Sequence, residues 1–363
     1  MSSLQRRGVV ITGVGVVNAA VVGASPALGT WLRRPRAAER SRAVGAREAV
    51  RLAEATLAGL IDPGEGRRLA RVCRLTLAAA RLAVAEAGVD PAAGLGLVVG
   101  SELGDFTSTI AFADGYLARG PAGLSALLFP STVMNTMAAT TAIAVASREL
   151  SLTINVPTIS GELAVARAAS AVAGGRVDAV LAGGVDELDP LVAEMLDVLG
   201  DDGVRGEGAT FLILEAEPVA RARGASILGR IAGAAWRSLP ARPWGVGRQV
   251  ASRAIHEALS RAERAAPGWL YASASGDAPR DAWESRVLAA ALGPRRFPTL
   301  SLGAHLGHHA GLGALHVAAA AWTARTGLLP DAAGGEPARV GGCGLVHGLG
   351  RGGGQVALIV EAE

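Results

Sequence analysis

An α/β fold built from two similar halves is what this 363-residue chain predicts, and three observations predict it. Continuous β-rich runs, of the kind buried on both faces of a sheet, alternate with stretches of helical spacing. The alternation restarts after about residue 222, giving halves at 1–222 and 223–363 that each end in strands. In each half one strand breaks into a central helix, over Thr153–Ala173 in the first and Pro298–Arg325 in the second.

Taken in order, "GVVITGVGVV" (Gly8–Val17) is the first buried strand. A helical region is predicted over 46–88, where "RVCRLTLAAARLAVAEAG" carries apolar residues at helical spacing. "LGLVVGS" (Leu95–Ser101) and "AVLAGGVDEL" (Ala179–Leu188) are strands on either side of the strand-to-helix break, with the helix beginning near Glu162, and "GATFLILEAE" (Gly208–Glu217) closes the half. The second half runs strand (Ser226–Trp236), helix (Gly247–Glu263), strand (Trp269–Ser275), helix (Asp281–Leu292) and strand (Phe297–Gly303). A helix over Ala314–Arg325 then leads to two final strands around the glycine-rich turn "GLGRGGG" (Gly348–Gly354).

Composition bounds the chemistry. Half the residues are hydrophobic but only 4% are aromatic, so Ala, Val, Leu and Gly must fill the core and pack elements closely. The longest apolar runs, such as Ala314–Trp322, fall short of the roughly 20 residues that span a bilayer. Residues 1–8 lead into a strand without the apolar segment of a signal peptide, which gives a cytoplasmic expectation. All 35 basic residues are Arg. The absence of lysine excludes a P-loop, a Schiff-base enzyme and any catalytic lysine. Scattered among acids and without aromatic interleaving, the Arg residues do not form a nucleic-acid footprint. Cys73 and Cys343 are too few for a disulfide scaffold and form no CxxC pattern.

The stretch "TINVPTISGELAVARAA" (Thr153–Ala169) is the sharpest local signal. Tight strand-to-helix turns of this type present nucleophiles in many enzymes, yet the turn holds Thr158, Ile159 and Ser160. Thr158 reads equally as a helix cap, although the Glu of a capping box is replaced by Gly161. "HLGHH" (His305, His308, His309), with His316 further on, has no Asp, Glu or Cys nearby to complete a metal site. "GLGRGGG" precedes a strand instead of a helix, so a tight backbone turn fits it better than a phosphate loop. The basic run Arg33–Arg42 reads as a solvated surface, with an acidic partner as the functional alternative.

The ordered set of motifs resembles the β-ketoacyl synthase family, of the thiolase fold. "VVITGVGVV" is similar to its first strand, and "LLFPSTVMNTMAATTAIA" (Leu127–Ala144) to the segment before its nucleophile strand. "DAVLAGGVDEL" and "GVRGEGATFLILE" resemble the next two signatures, "GAHLGHHAGLGAL" (Gly303–Leu315) the Lys-Ser-x-x-Gly-His segment, and the terminal glycine turn the Gly-Phe-Gly-Gly loop. The resemblance spans nearly the whole chain. It implies two βαβαβαββ halves in an αβαβα layered arrangement. A stretch that usually precedes the "GEGA" turn is missing.

The family's chemistry is decarboxylative Claisen condensation with one Cys and two His. A thiol at a helix N-terminus is acidified by the helix dipole, and two imidazoles stabilise the developing negative charge. Anchored on Ser160-Gly161-x-x-Ala164, the resemblance puts Thr158 at the Cys position. Anchored on Asp281 and Glu284, it puts Ser273 at the first His. Gly303 replaces the motif lysine, His308 alone matches, and Arg351 stands where a gating Phe is usual. A Thr hydroxyl needs an adjacent base to attack, and none is supplied.

Such a shell resembles the chain length factor, the non-catalytic subunit that pairs with an active ketosynthase in type II polyketide systems, its shortened chain more like the aryl-polyene type. The resemblance implies a heterodimer served by an acyl carrier protein and its phosphopantetheine arm, with no cofactor bound to this chain. The interface is expected from Leu127–Thr141 and Thr153–Thr158, and the acyl tunnel from Phe129, Val133, Met134, Met137, Thr158 and Arg351. The alternatives are a stand-alone acyltransferase or thioesterase-like enzyme using Thr158 or Ser160, and a non-catalytic acyl-binding homodimer.

Overall fold

Small residues set the spacing of this interior, as the composition requires. The computed structural model describes residues 7–44 and 47–363; the opening segment read above for a targeting signal lies, through residue 6, outside them. The main strands are β1 (Val9–Asn18), β2 (Leu95–Gly100), β3 (Ser151–Ile154), β4 (Ala179–Asp186) and β5 (Gly208–Ala216), followed by β6 (Gly229–Ser238), β7 (Trp269–Ala272), β8 (Thr299–Leu300), β9 (Gly344–Leu349) and β10 (Gly354–Glu361). They form one sheet in the order β8-β7-β9-β10-β6-β1-β5-β4-β2-β3, with Val22–Gly23 paired to the side of β1.

The order reads the same from its centre outwards. β1 pairs antiparallel with β5, β5 antiparallel with β4, β4 parallel with β2, and β2 parallel with β3. In the same sequence β6 pairs antiparallel with β10, β10 antiparallel with β9, β9 parallel with β7, and β7 parallel with β8. Even the register shift recurs, between Ile11 and Gly13 in one half and between Ile231 and Gly233 in the other. The two sets join only where Val10 and Ile11 face Arg230 and Gly229.

Helices cover the sheet in layers. The principal ones are α1 (Arg71–Ala87), α2 (Phe106–Arg119), α3 (Thr136–Ala144) and α4 (Ser160–Ala173), then α5 (Pro190–Val198), α6 (Arg253–Arg261), α7 (Ala278–Leu292) and α8 (Ala310–Thr326). α4 and α8 pack on each other between the two halves of the sheet, sharing one core with Val14, Val98, Leu212 and Leu358. α1 covers the outer face of the first half and α6 with α7 that of the second. This is the αβαβα layering of a thiolase-like fold. α8 is buried on every side through Thr323, which only an Ala- and Gly-rich helix allows at this spacing. α1 ends where Gly88 turns left-handed (φ 63) and its N–H bonds the Val84 carbonyl. No helix among the described residues is long and apolar enough to cross a membrane.

Two predicted helices are corrected. The region expected to be helical from residue 46 begins instead with a strand, Arg47–Val50, paired with Arg40–Val44 and with Arg205–Gly206. The buried Glu207 carboxylate holds this segment extended: it accepts from Leu52 N–H (2.9 Å) and from Arg71 (2.5 Å), and its own N–H bonds the Val50 carbonyl (3.1 Å). The helix predicted from Gly247 starts at Arg253, because Ser252 caps it by accepting from Ile255 N–H. Gly247 is spent on packing, since a Cβ there would lie 2.6 Å from the Trp283 ring.

Candidate active site

The strand-to-helix break after β3 keeps a strained turn. Thr158 holds φ 64, a left-handed backbone that a β-branched residue adopts at a cost. Its side chain is buried and its hydroxyl Oγ1 has no hydrogen-bond partner, so the capping role expected of it is not made. The neighbouring Ser160 stitches the turn instead: its Oγ accepts from Val156 N–H (2.9 Å) and lies in hydrogen-bond reach of the carbonyls of Val156 (2.8 Å) and Ser101 (3.2 Å). The β9–β10 turn closes over Thr158 from the second half, where a Cβ on Gly350 would lie 2.9 Å from Oγ1.

Ser273 lies at the end of β7, buried within a polar cluster. Its Oγ donates to Glu284 (2.9 Å) and accepts from Arg280 (2.9 Å) and Leu349 N–H (3.2 Å). Arg280 is 1% exposed and also donates to the Ser273 carbonyl (2.7 Å), the Leu349 carbonyl (3.1 Å) and Asp281 (2.6 Å). His347 Nδ1 meets the same Glu284 oxygen at 2.7 Å. A guanidinium bonded in all directions therefore sits against Ser273. Sequence spacing located Ser273 but missed Arg280, whose only signal is its place one residue before Asp281.

His308 enters from the loop before α8. Its backbone is fixed by bonds to Val204 and Gly206, while neither ring nitrogen has a hydrogen-bond partner. Nε2 lies 3.6 Å from Glu102. Burial holds the imidazole below its ordinary pKa, so the ring is neutral at neutral pH. The Glu102 carboxylate is itself taken by Arg205 (2.9 Å), which also pairs with Asp201 (2.5 Å). Burial opposes the Glu102 charge most strongly, but Arg205 and His308 together outweigh it and hold the carboxyl well below the usual range. The other imidazoles of the predicted cluster go elsewhere: His305 meets the Ala332 carbonyl, His316 accepts from Leu302 N–H, and His309 has no partner. Among the described residues no three His, Cys, Asp or Glu side chains are grouped to hold a metal. Both cysteines are buried, with burial pushing the Cys73 thiol up to about 12, so neither offers a thiolate.

Arg351 does not point into open space. Its guanidinium donates to both oxygens of Asp277 (2.6 and 2.8 Å) and to the carbonyls of Gly200 (2.6 Å) and Trp244 (3.1 Å). It thereby ties four loops together beside Thr158. One further buried group was not foreseen. Glu162, one helical turn beyond Thr158, occupies a slot left by Gly313 and Gly348, where a Cβ would lie 1.6 Å from Oε2 or 2.2 Å from Oε1. Burial, reinforced by the charge of Glu284, pushes its carboxyl up to about 8.

The residues expected at an interface divide. Phe129, Val133 and Met134 are partly exposed at 58%, 43% and 37%, while Met137 is fully buried under α1. Leu127 and Ile143 are exposed beside them, and Leu117 and Val198 add further apolar surface on α2 and α5. β3, the strand next to the turn, is the sheet's edge.

Comparison with known proteins agrees with this geometry. Residues 7–202, more than half of the chain, match the sequence model of the β-ketoacyl synthase N-terminal domain. A "putative polyketide beta-ketoacyl synthase 1" of Streptomyces virginiae is 30% identical over 325 residues, covering 77% of this chain and 76% of that protein. Among solved structures, the ishigamide ketosynthase/chain length factor superposes with a TM-score of 0.87 at 22% identity, over 99% of this chain and 100% of that one. A type II polyketide ketosynthase bound to the hexaketide and in complex with its acyl carrier protein, AntDE:AntF, gives 0.82 at 20% identity, over 99% and 100%. The chain belongs to the β-ketoacyl synthase family.

Proposed function

We propose that this chain is a catalytically inactive chain length factor, a ketosynthase-like subunit that pairs in the cytoplasm with an active ketosynthase of a type II polyketide or polyene system and shapes its acyl tunnel. One observation carries the reading: the positions for nucleophile and first imidazole hold Thr158 and Ser273, and Arg280 is bonded into the latter. No base reaches Thr158 Oγ1, so it has no route to an alkoxide. The Arg351 guanidinium is taken up by Asp277, Gly200 and Trp244, and in this reading the carrier protein loads the partner. The edge strand β3 and the exposed side chains of Leu127, Phe129 and Ile143 suit an obligate, apolar interface. The division into halves 1–222 and 223–363 is part of this reading and rests on the repeated strand order.

Co-expression with a Cys-bearing ketosynthase, followed by size-exclusion chromatography with mass analysis, tests it. A 1:1 complex is expected, with condensation lost when the partner's Cys is removed and unaffected by Thr158→Val. A stable homodimer that ignores the ketosynthase overturns the pairing. Within a working complex, Met134→Trp should shorten the product, read by mass spectrometry; unchanged length across several such variants removes Met134 from the tunnel.

A further inference from the structure

A cavity of about 660 Å³ opens at the seam between the two halves, away from Thr158, where the start of β1 and the ends of α4 and α6 meet β6. Four guanidinium groups line it, those of Arg7, Arg230, Arg261 and Arg264, against the carboxylates of Glu263 and Glu361. Arg7 is engaged by Asp178 and by the carbonyls of Val172 and Val177. The other three are not used up. Among the described residues Arg230 meets only Glu217, at 3.3 Å, and Arg264 gives only Nε, to Glu361. Arg261 spends Nη1 on the Ala234 carbonyl and lies 3.9 Å from Glu257, whose oxygens are already held by Arg237. Each guanidinium has five N–H donors, so most of the donors on these three remain unclaimed.

We propose that this cavity binds a small phosphate-bearing anion, of the class of a diphosphate or phosphate ester. Planar guanidinium forks match phosphate oxygens in pairs, and the lining carries more positive than negative charge, which a dianion balances. The volume lies in the range of small-molecule sites and exceeds what a lone ion needs. Five elements converge on the cavity and bring these side chains together from distant parts of the chain. Thr158 and Ser273 do not line the cavity, and the proposal stands whether or not the chain pairs with a ketosynthase.

Isothermal titration of the full-length chain with inorganic pyrophosphate at low ionic strength tests it. Saturable binding at one site is expected, weakened about tenfold by Arg264→Gln and by Arg230→Gln. Arg34→Gln, which removes an exposed guanidinium paired with Glu336 outside the cavity, should leave it unchanged. Both lining side chains are partly exposed, and circular dichroism checks that the variants remain folded. Absence of saturable heat at millimolar pyrophosphate overturns the proposal. So does an equal loss in Arg34→Gln, which would mean attraction to surface charge alone.

Discussion

Thr158 combines a left-handed backbone with an orphaned buried hydroxyl, two costs in one residue. Replacing it by Gly removes both, and the unfolding free energy should rise by about 1 kcal/mol in denaturant titration; a loss would mean that its methyl packing outweighs the strain. Glu162 makes a pH prediction with a definite sign. Its folded pKa of about 8 lies above the unfolded 4.5, so the folded state keeps a proton that the unfolded state releases. Stability from this group is full below 4.5, falls as pH rises through that window and levels off above about 8. His309 and His316, held by burial at about 3 and about 4 against 6.5, act oppositely and withdraw stability as pH falls below 6.5. Above pH 6.5, where the two histidines no longer titrate, Glu162→Gln should flatten the fall in stability up to about pH 8 in unfolding curves. Thr158, Ser273 and His308 were legible as candidate residues from spacing to anchor residues. The partners that decide their chemistry were not: Arg280, Glu102 and Arg205 reach them from other segments, and spacing along a chain does not say where a side chain turns.

At the scale of elements, the low aromatic content translated into contact between backbones. α4, β4 and the start of α8 meet without side chains between them: a Cβ on Gly161 would lie 1.9 Å from the Ala310 carbonyl, and one on Gly184 2.4 Å from it. Gly161→Ala should therefore cost about 1–3 kcal/mol, since no rotamer relieves a clash with backbone; a neutral effect would show that α8 can slide away. The same junction is drawn tight by Asp186, whose carboxylate accepts from Ala310 N–H (2.7 Å) at the mouth of α8 and from Ser101 Oγ (2.8 Å). Strands buried on both faces were legible as short runs rich in β-branched Val and Ile bounded by turn residues, where a buried helix such as α8 is longer and rich in Ala. The strand Arg47–Val50 was not, because its residues have no such pattern and its extended form is imposed by Glu207, far away in sequence.

For the molecule as a whole, the repeated pairing order was anticipated from the restart of the strand–helix alternation, whereas the apolar side chains left exposed on α2, α3 and α5 emerged only from the folded structure. Ile143 is 83% exposed on the helix next to β3. Ile143→Asp should leave the chain's own melting temperature unchanged yet reduce recovery of the ketosynthase complex by tenfold or more, as loss of an apolar interface contact to a charge does; intact recovery would move the interface elsewhere. The symmetry of the sheet is nonetheless unequal at its two ends. β3 offers four residues of open edge, but its counterpart β8 has only two, Thr299 and Leu300. A body with one adhesive rim and one blunt rim can be joined once. Under the proposed pairing, growth stops at a pair, and the run-on stacking into filaments that threatens any protein with two open sheet borders is closed to it.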